Sequence, residues 1–403
     1  MVWNLTFASG EGHIVKRRIT TTLAVGAVAT LALSGAPAVA DNGGHQHHGS
    51  GELETVFDGL NGPRGVDALG HGRTLVTETD GTFSLILEPH KRWHHWRGAR
   101  HGSAPRKIVL GQVPTNFAPA IAAGRHGTIW LLTGGASPDE PAADNGATLF
   151  KWKAGWAAPV AFADIAAYQE SDPDPYDLED LPADSNPFGL AALRDGSVLV
   201  ADAAGNDLLH VSKSGDIETV ARLKPREVVT PEGLPGAGTP ATAEAVATSV
   251  TVGSDGAWYI GELRGYPATP GTSEIWRVRP GTTDALCDPE KPWGACQRYA
   301  DGLTSIVDLG AGRHGIYAVT LSKLSWLAVE SPTPPPGADI GGLFLVSGGH
   351  GHGHHRHGHG HGHGARITEL VPDQLHLPGG VDVAGDPYVV GPVFGPGALA
   401  KID

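Results

Sequence analysis

The sequence predicts an all-β fold, a six-bladed β-propeller of four-stranded antiparallel blades. A strand-turn-strand pattern recurs six times, and equivalent apolar residues mark its first strands: Val66, Ile121, Leu190, Val250, Val307 and Val381. These copies lie roughly 55 to 75 residues apart, a period typical of propellers and solenoids. The composition agrees, because 58 glycines and 31 prolines in 403 residues suit many short strands joined by turns.

The third repeat shows the pattern of one blade most clearly. We predict its four strands at 188–193, 197–201, 208–211 and 217–223, with glycine-containing turns inside each hairpin. The fourth strand recurs in the other copies at 53–57, 106–110, 158–164, 297–301 and 367–371. Each repeat therefore supplies one antiparallel blade.

The order of the strands predicts how the ring closes. The segment 53–57 precedes the first complete repeat, whereas the chain ends in a third strand at 398–402. An open row of blades would leave unpaired edges, which ring closure removes. We expect the N-terminal strand to complete the last blade, so that residues 52–403 form a single propeller.

The N-terminal segment 1–40 has the pattern of a secretory signal peptide. Lys16-Arg17-Arg18 is basic, residues 22–33 are apolar, and Ala38-Val39-Ala40 is a small-residue cleavage site. The apolar run is too short to span a membrane. We expect an extracellular protein that is cleaved near Ala40 and then begins with a flexible His/Gly-rich segment, 41–51. Translation from Val15 would also give a conventional signal, so the start is left open.

Charge and cysteine content limit the partners and the compartment. The net charge of −14 argues against nucleic acid, whose binding depends on Lys and Arg contacts to phosphate. The two cysteines, Cys287 and Cys296, flank what reads as a loop between blades four and five, and in an exported protein they predict a disulfide. We expect a monomer without a membrane span after cleavage.

Histidine is the most unusual feature of the composition. Of the 21 histidines, eight alternate with glycine in a loop insertion at 348–365: His350, His352, His354, His355, His357, His359, His361 and His363. Imidazole suits Zn, Cu and Ni, so this loop is a candidate for binding these ions with low specificity. The alternative is a variable insertion whose metal binding is incidental, because a Gly-His tract does not preorganise ligands.

The acidic loop 170–184 is dense in the oxygen ligands that Ca²⁺ prefers. It lacks the glycine at the sixth position and the terminal glutamate of a calcium loop, and its prolines restrict wrapping. A solvated lid over one mouth of the ring is the alternative.

Polar residues gather at one end of the predicted blades, where first strands begin and second strands end. They are Glu78, Asn116, Asn186, Asp202, Asn206 and Glu262. Convergent carboxylates and amides at a channel mouth could hold Ca, Mn or Zn, or bind a polar ligand. Asp and Asn are also common turn formers that bond their own backbone, so a structural role is the alternative for each of them.

Two stretches, 183–211 and 249–271, resemble the exported propeller family of the ScyD and ScyE proteins. The segments 59–70, 299–310 and 377–385 are similar more weakly, so the resemblance covers nearly all of the mature chain. That family is associated with exported steps in making an indole- and phenol-derived sunscreen pigment. The strand pattern also fits NHL repeats and gluconolactonase-like propellers.

The resemblance to gluconolactonase-like propellers implies metal-assisted hydrolysis of an ester or lactone. Glu78 or Glu262, with Asn186 and Asp202, would then be the metal ligands. A serine nucleophile is not expected, since the sequence has no GxSxG motif. We expect an exported propeller that binds a small molecule, a glycan or a protein at one mouth of the ring. A divalent-metal hydrolase or lactonase is the alternative, and whether the protein is an enzyme stays open.

Overall fold

The computed structural model describes residues 51–89, 104–115, 117–135, 146–348 and 365–403. Six four-stranded antiparallel arrangements form a ring, which confirms the predicted six-bladed propeller. Within the described ranges, no helix is long and apolar enough to cross a membrane.

The chain enters the ring with strand β1 (Leu53–Asn61) and then builds the blades in order. Blade 1 comprises β2 (Val66–Ala68), β3 (Arg73–Thr77), β4 (Thr82–Leu87) and β5 (Arg106–Gln112). Blade 2 comprises β6 (Ala120–Ala123), β7 (Thr128–Leu132), β8 (Thr148–Lys153) and β9 (Val160–Asp164). Blade 3 comprises β10 (Pro187–Ala192), β11 (Val198–Asp202), β12 (Asp207–Val211) and β13 (Ile217–Leu223).

The remaining blades follow the same plan after a short extra hairpin. This hairpin is formed by β14 (Arg226–Val229) and β15 (Pro240–Ala243). Blade 4 comprises β16 (Ala247–Val252), β17 (Trp258–Glu262), β18 (Ser273–Val278) and, after the short strand β19 (Ala285–Cys287), β20 (Cys296–Leu303). Blade 5 comprises β21 (Ile306–Gly312), β22 (Gly315–Thr320), β23 (Gly342–Ser347) and β24 (Arg366–Glu369). Blade 6 comprises β25 (Gly380–Ala384), β26 (Asp386–Gly391), β27 (Pro396–Ile402) and β1.

The ring closes as predicted. Strand β1 pairs antiparallel with β27, from Leu53 opposite Ile402 to Asn61 opposite Pro396. The first strand in the chain is therefore the outermost strand of the last blade, and both termini of the propeller are held in one sheet.

The core lies between neighbouring blades rather than at one centre. Between blades 3 and 4, Leu199 and Ala201 of β11 pack in one cluster with Ile260 and Trp276, and all four are fully buried. Strands covered on both faces read as continuous apolar runs, which explains the VLVA sequence of β11. Each junction thus buries its own core, as expected of a repeat architecture.

The first strands crowd around the ring axis, and glycine permits this approach. A Cβ atom on Gly189 of β10 would lie 2.6 Å from the Cα atom of Ser249 in the next blade. A Cβ atom on Gly380 would overlap the carbonyl oxygen of Arg64. Side chains at these two positions would push neighbouring blades apart.

The two ends of the ring differ in their connections. We call the end where first strands begin the upper end, and the end where first strands turn into second strands the lower end. The upper connections carry the β14–β15 hairpin and two short helices, α1 (Ile165–Ser171) and α2 (Trp326–Glu330). The lower connections between first and second strands are tight turns, one of which contains a short 3₁₀ helix (Arg125–Gly127).

The disulfide between Cys287 and Cys296 is present, but its predicted location was wrong. The loop that it closes lies between the third and fourth strands of blade 4, not between blades 4 and 5. Strand β19, which ends at Cys287, pairs in parallel with β13 of blade 3, and Cys296 begins β20. The bridge therefore ties the outer edges of two blades together.

Candidate functional site in the central channel

The central channel is lined by the first strand of every blade and contains a cavity of about 230 Å³. Small apolar side chains form most of its wall. One equivalent position in each first strand follows the marker apolar residue, and it is occupied in blade order by Asp67, Ala122, Ala191, Thr251, Asp308 and Asp382. Blades 5, 6 and 1, which are consecutive in the ring, thus place three carboxyl groups on the channel wall.

These three carboxyl groups also fasten neighbouring blades. Each accepts a hydrogen bond from a backbone N–H of the next blade: Asp67 from Ala123 at 2.6 Å, Asp382 from Ala68 at 2.7 Å, and Asp308 from Val381 at 2.9 Å. The repeated Val-Asp pair thus has a structural role as well as a place in the channel.

Burial changes the protonation of the channel. It raises the pKa of Asp67 to about 7, and the nearby Asp382 carboxyl adds to this rise. Burial likewise raises the pKa of Asp308 to about 7, although Arg64 opposes the rise. The pKa of Asp382 is also raised by burial. Near neutral pH Asp67 and Asp308 therefore lie between the neutral and ionised forms, so they can donate or accept hydrogen bonds.

Arg64 fills the upper end of the channel. Its side chain is only 6 % exposed, and Nη1 donates to the carbonyl oxygen of Ala118 at 3.1 Å. Nη2 donates to the carbonyl oxygen of Phe188, and the guanidinium carbon lies 3.5 Å from the centroid of the Phe188 ring. Phe117 is a second aromatic neighbour at 5.6 Å. Burial lowers the pKa of Arg64 to about 10, so the group stays cationic at neutral pH.

The lower end of the channel opens into a depression of about 1,140 Å³. The turns between first and second strands of blades 3 to 6 form most of its wall. Ala192, Val252 and Ala311 line both the depression and the channel, so the two spaces adjoin at these residues. Arg194 and Arg313 are among the polar residues of the depression.

Three of the sequence-predicted site residues meet at the upper end of blade 3. Asp202 is fully buried and accepts hydrogen bonds from the backbone N–H of Asn186 at 2.7 Å and from Ser185 Oγ at 2.7 Å. The side chain of Asn206 accepts from the Val246 N–H at 2.8 Å. These groups join the turns of blades 3 and 4, and none of them lines the channel cavity.

Glu78 and Glu262 lie apart, each in its own blade. Glu78 accepts a hydrogen bond from the Asn61 N–H at 2.9 Å and forms an ion pair with Lys107. Glu262 is fully buried, accepts from Trp276 Nε1 at 2.5 Å and is paired with Arg264. Burial raises the pKa of Glu262 to about 8, although the Arg264 charge opposes the rise.

The other predicted ligands lie outside the described residues. These are Asn116 and the eight histidines of the 348–365 insertion. The predicted signal peptide and the His/Gly-rich segment up to Ser50 also lie outside the described residues. In the ranges that the structure does describe, no group of three or more His, Cys, Asp or Glu residues is placed to hold a metal ion.

The acidic loop 170–184 contributes carboxylates to the upper end. Asp174 accepts from the Asn206 side chain at 3.0 Å, and Asp177 accepts from the Leu181 N–H at 2.9 Å. Burial raises the pKa of Glu179 to about 8, and the neighbouring Glu244 carboxyl adds to this rise. The carboxylates of this loop thus accept hydrogen bonds that stabilise the loop, and neighbouring carboxyl groups raise one another's pKa.

Arg64 and the three channel aspartates were not among the site residues predicted from the sequence. A signal for the aspartates was present, because a Val-Asp pair recurs at 66–67, 307–308 and 381–382, directly at the markers of the first strands. Arg64 had no such signal, since its role depends on Phe117 and Phe188 of other blades.

No family model and no curated protein matches the chain. Among solved structures, the chain is similar to a PQQ-bound aldose sugar dehydrogenase from Streptomyces coelicolor, with 12% identity and a TM-score of 0.47 over 88% of this chain and 98% of that one. It is also similar to a glucose dehydrogenase, with 13% identity and a TM-score of 0.49 over 87% and 99% of the chains. A streptogramin B lyase has 14% identity and a TM-score of 0.42 over 87% and 98%. Likenesses this distant carry no argument about activity.

Proposed function

We propose that this protein is an exported propeller that binds a small molecule, which enters through the lower mouth of the ring. The observation that carries the proposal is that the lower depression adjoins the channel cavity, since both are lined by Ala192, Val252 and Ala311. Ligand sites are typically concave and largely apolar, with a few polar groups that orient the ligand. The channel is concave and its wall residues are mostly small and apolar, whereas most of the surface that it exposes is polar, with Asp67, Asp308 and Asp382 among the polar residues that line it.

The proposed site lies opposite the mouth that the sequence favours. The described candidates at the upper end, such as Asp202 and Glu262, are already bonded within and between blades. Arg64 fills the channel on that side. The lower mouth, in contrast, leads into open space inside the ring.

Export is supported by two independent features. The segment 1–40 has the pattern of a signal peptide. The Cys287–Cys296 disulfide suits an oxidising compartment. Residues 183–211 and 249–271 also resemble the ScyD and ScyE proteins, which form an exported propeller family, and this resemblance favours export as well.

Ligand-observed NMR of the mature protein tests the binding site. The probes are a mixture of neutral sugars, sugar acids and aromatic acids, compared between the wild-type protein and Ala311→Trp. Because Ala311 lies where the depression meets the channel, a bulky side chain there should weaken the binding of each bound probe about tenfold, or about 1.4 kcal/mol. Ser214→Trp, on an exposed outer turn, is the matched control and should leave binding unchanged.

Two results would contradict the proposal. In the first, no probe binds the wild-type protein. In the second, Ala311→Trp and Ser214→Trp bind every probe as the wild-type protein does. Circular dichroism checks that the variants fold. If Ala311→Trp does not fold, Ala192→Leu is used to narrow the same junction.

A further inference from the structure

The arginine side chains of the described residues differ in their partners at the two ends of the ring. Five of them form an ion pair with a carboxylate: Arg222, Arg226, Arg264, Arg277 and Arg298. Apart from Arg64, the described arginines without an ion pair all lie at the lower end of a blade, beside a turn that joins first to second or third to fourth strands: Arg73, Arg106, Arg125, Arg194, Arg279, Arg313 and Arg366. This distribution is unexpected in a chain of net charge −14.

Two of these arginines line the lower depression itself. Arg194 belongs to the turn of blade 3 and Arg313 to the turn of blade 5. The carboxylate that shares the depression, Asp255, accepts from Arg277 Nε at 3.0 Å and Nη2 at 2.8 Å, so its charge is already compensated. Arg125 lies beside this site as well, because its Nη1 donates to the carbonyl oxygen of Arg194 at 2.8 Å.

The upper end is rich in acidic groups. Asp174, Asp184, Glu179 and Glu244 gather near the upper connections of blades 2 to 4, and their pKa values are raised by burial, to about 7 for Glu244 and about 8 for Glu179. The lower depression, in contrast, is lined by Arg194 and Arg313, neither of which forms an ion pair among the described residues. Cationic groups that line a concave surface attract anions to it.

We infer that the lower mouth binds small molecules through a carboxylate or phosphate group, with Arg194 and Arg313 as its charge partners. The inference rests on the proposed function, since it names the ligand class of the same site. A guanidinium group presents a planar fork of N–H donors that matches carboxylate and phosphate oxygens. The uncharged part of such a ligand would point into the channel, toward Asp67, Asp308 and Asp382.

Isothermal titration calorimetry with a matched pair of probes tests this inference. Glucose 6-phosphate and glucose differ in one phosphate group, and glucuronate offers a carboxylate in its place. We expect both anions to bind the mature protein at least about tenfold more tightly than glucose at low ionic strength, and added salt to reduce this preference. The double variant Arg194→Gln/Arg313→Gln should lose the preference and keep the affinity for glucose. Citrate and pyrophosphate serve as anions without a sugar.

A control variant separates a local contact from the general field. Arg106→Gln/Lys213→Gln removes the same charge at exposed positions that do not line the depression, and it should keep most of the preference for anions. A variant lacking residues 349–364, titrated in parallel, removes any contribution of the histidine tract. Each of these substitutions lies at an exposed position, and a shared melting temperature confirms that the fold is kept.

The outcomes distinguish the inference from the proposed function. If glucose and its anionic derivatives bind equally well, or if both double variants lose the same preference, the inference is wrong and the small-molecule site stands. If citrate, pyrophosphate and the sugar anions fail to bind while neutral probes are sensitive to Ala311→Trp, the inference is also wrong. If no probe of either kind binds, the proposed function itself fails.

Discussion

The upper and lower ends of this propeller carry polar residues for different reasons. At the upper end, Asp202 and Glu262 are fully buried and each has several hydrogen-bond partners. At the lower end, Arg194 and Arg313 are exposed and have no carboxylate partner among the described residues. The density of polar residues therefore does not locate a binding site. The polar groups left without partners are the better guide.

The reason lies in the cost of burial. A buried carboxylate or amide without hydrogen bonds destabilises the fold, so the polar groups that enter a blade junction acquire partners there. An exposed guanidinium remains hydrated and has no such requirement. Substitutions at the two ends should therefore differ sharply in their effects on stability, and four predictions test this difference.

The largest effect is expected for Glu262→Ala at the upper end. Removing this carboxylate leaves Arg264, which is 1 % exposed, with Glu274 as its remaining charge partner. The loss of one buried partner of Arg264, together with the unpaired Trp276 Nε1 and the cavity left by a fully buried side chain, should cost about 3–5 kcal/mol of folding free energy. Denaturant unfolding measures the loss, and Glu262→Gln, which keeps an acceptor for Trp276, should lose less. A Glu262→Ala protein of normal stability that no longer binds ligand would show that the upper end is the functional one.

A smaller loss is expected for Arg64→Met, which keeps most of the side-chain volume. The hydrogen bonds that Arg64 donates to the carbonyl oxygens of Ala118 and Phe188 would be lost, which should cost about 1–3 kcal/mol. The same unfolding measurement on Arg73→Met, an exposed position at the lower end, gives the control and should change by less than about 0.5 kcal/mol. Equal effects at the two positions would remove the distinction between the ends.

The third prediction concerns pH. Asp67 and Asp308 have folded-state pKa values raised to about 7. At pH values between their unfolded and folded pKa values, the folded protein therefore binds more protons than the unfolded chain. The resulting stability is complete below the unfolded pKa of about 3.9 and is lost as the pH rises through about 7. We expect the free energy of unfolding to fall between pH 5 and pH 9. Each unit by which folding raises the pKa of a carboxyl group contributes about 1.4 kcal/mol to this fall.

The variant Asp67→Asn/Asp308→Asn isolates the contribution of the channel to this pH dependence. It should flatten the decline, whereas Glu179→Gln, which alters the upper acidic loop, should flatten it by a separate and additive amount. A stability profile that rises from pH 5 to pH 9 would contradict the raised pKa values.

The smallest effect is expected for the lower mouth. Arg194→Gln/Arg313→Gln should change the free energy of unfolding by less than about 0.5 kcal/mol, because both side chains are exposed and form no ion pair in the described structure. A loss of more than about 2 kcal/mol in denaturant unfolding would mean that these arginines are structural, like their counterparts at the upper end.

The fold could be predicted because its determinants are local and repeated. The strand alternation, the glycine turns and the early position of 53–57 together specify a closed ring. The partners of Asp202 or Arg64 come from distant segments, such as Ser185 and Phe188, and no periodic pattern reports them. The lower-mouth arginines did leave a trace, since Gly-Arg-His-Gly occurs at 124–127 and again at 312–315. Its meaning depends on knowing that these turns share one end of the ring.

The position of a bound anion would locate the binding site directly. A crystal of the mature protein soaked in selenate would locate the anion from the anomalous scattering of selenium, with a sulfate-soaked crystal as the reference. We expect a peak at the lower mouth, within about 4 Å of the guanidinium groups of Arg194 and Arg313, and no such peak in crystals of the Arg194→Gln/Arg313→Gln variant. A peak at the upper end beside Arg64, with the lower mouth empty, would contradict this expectation.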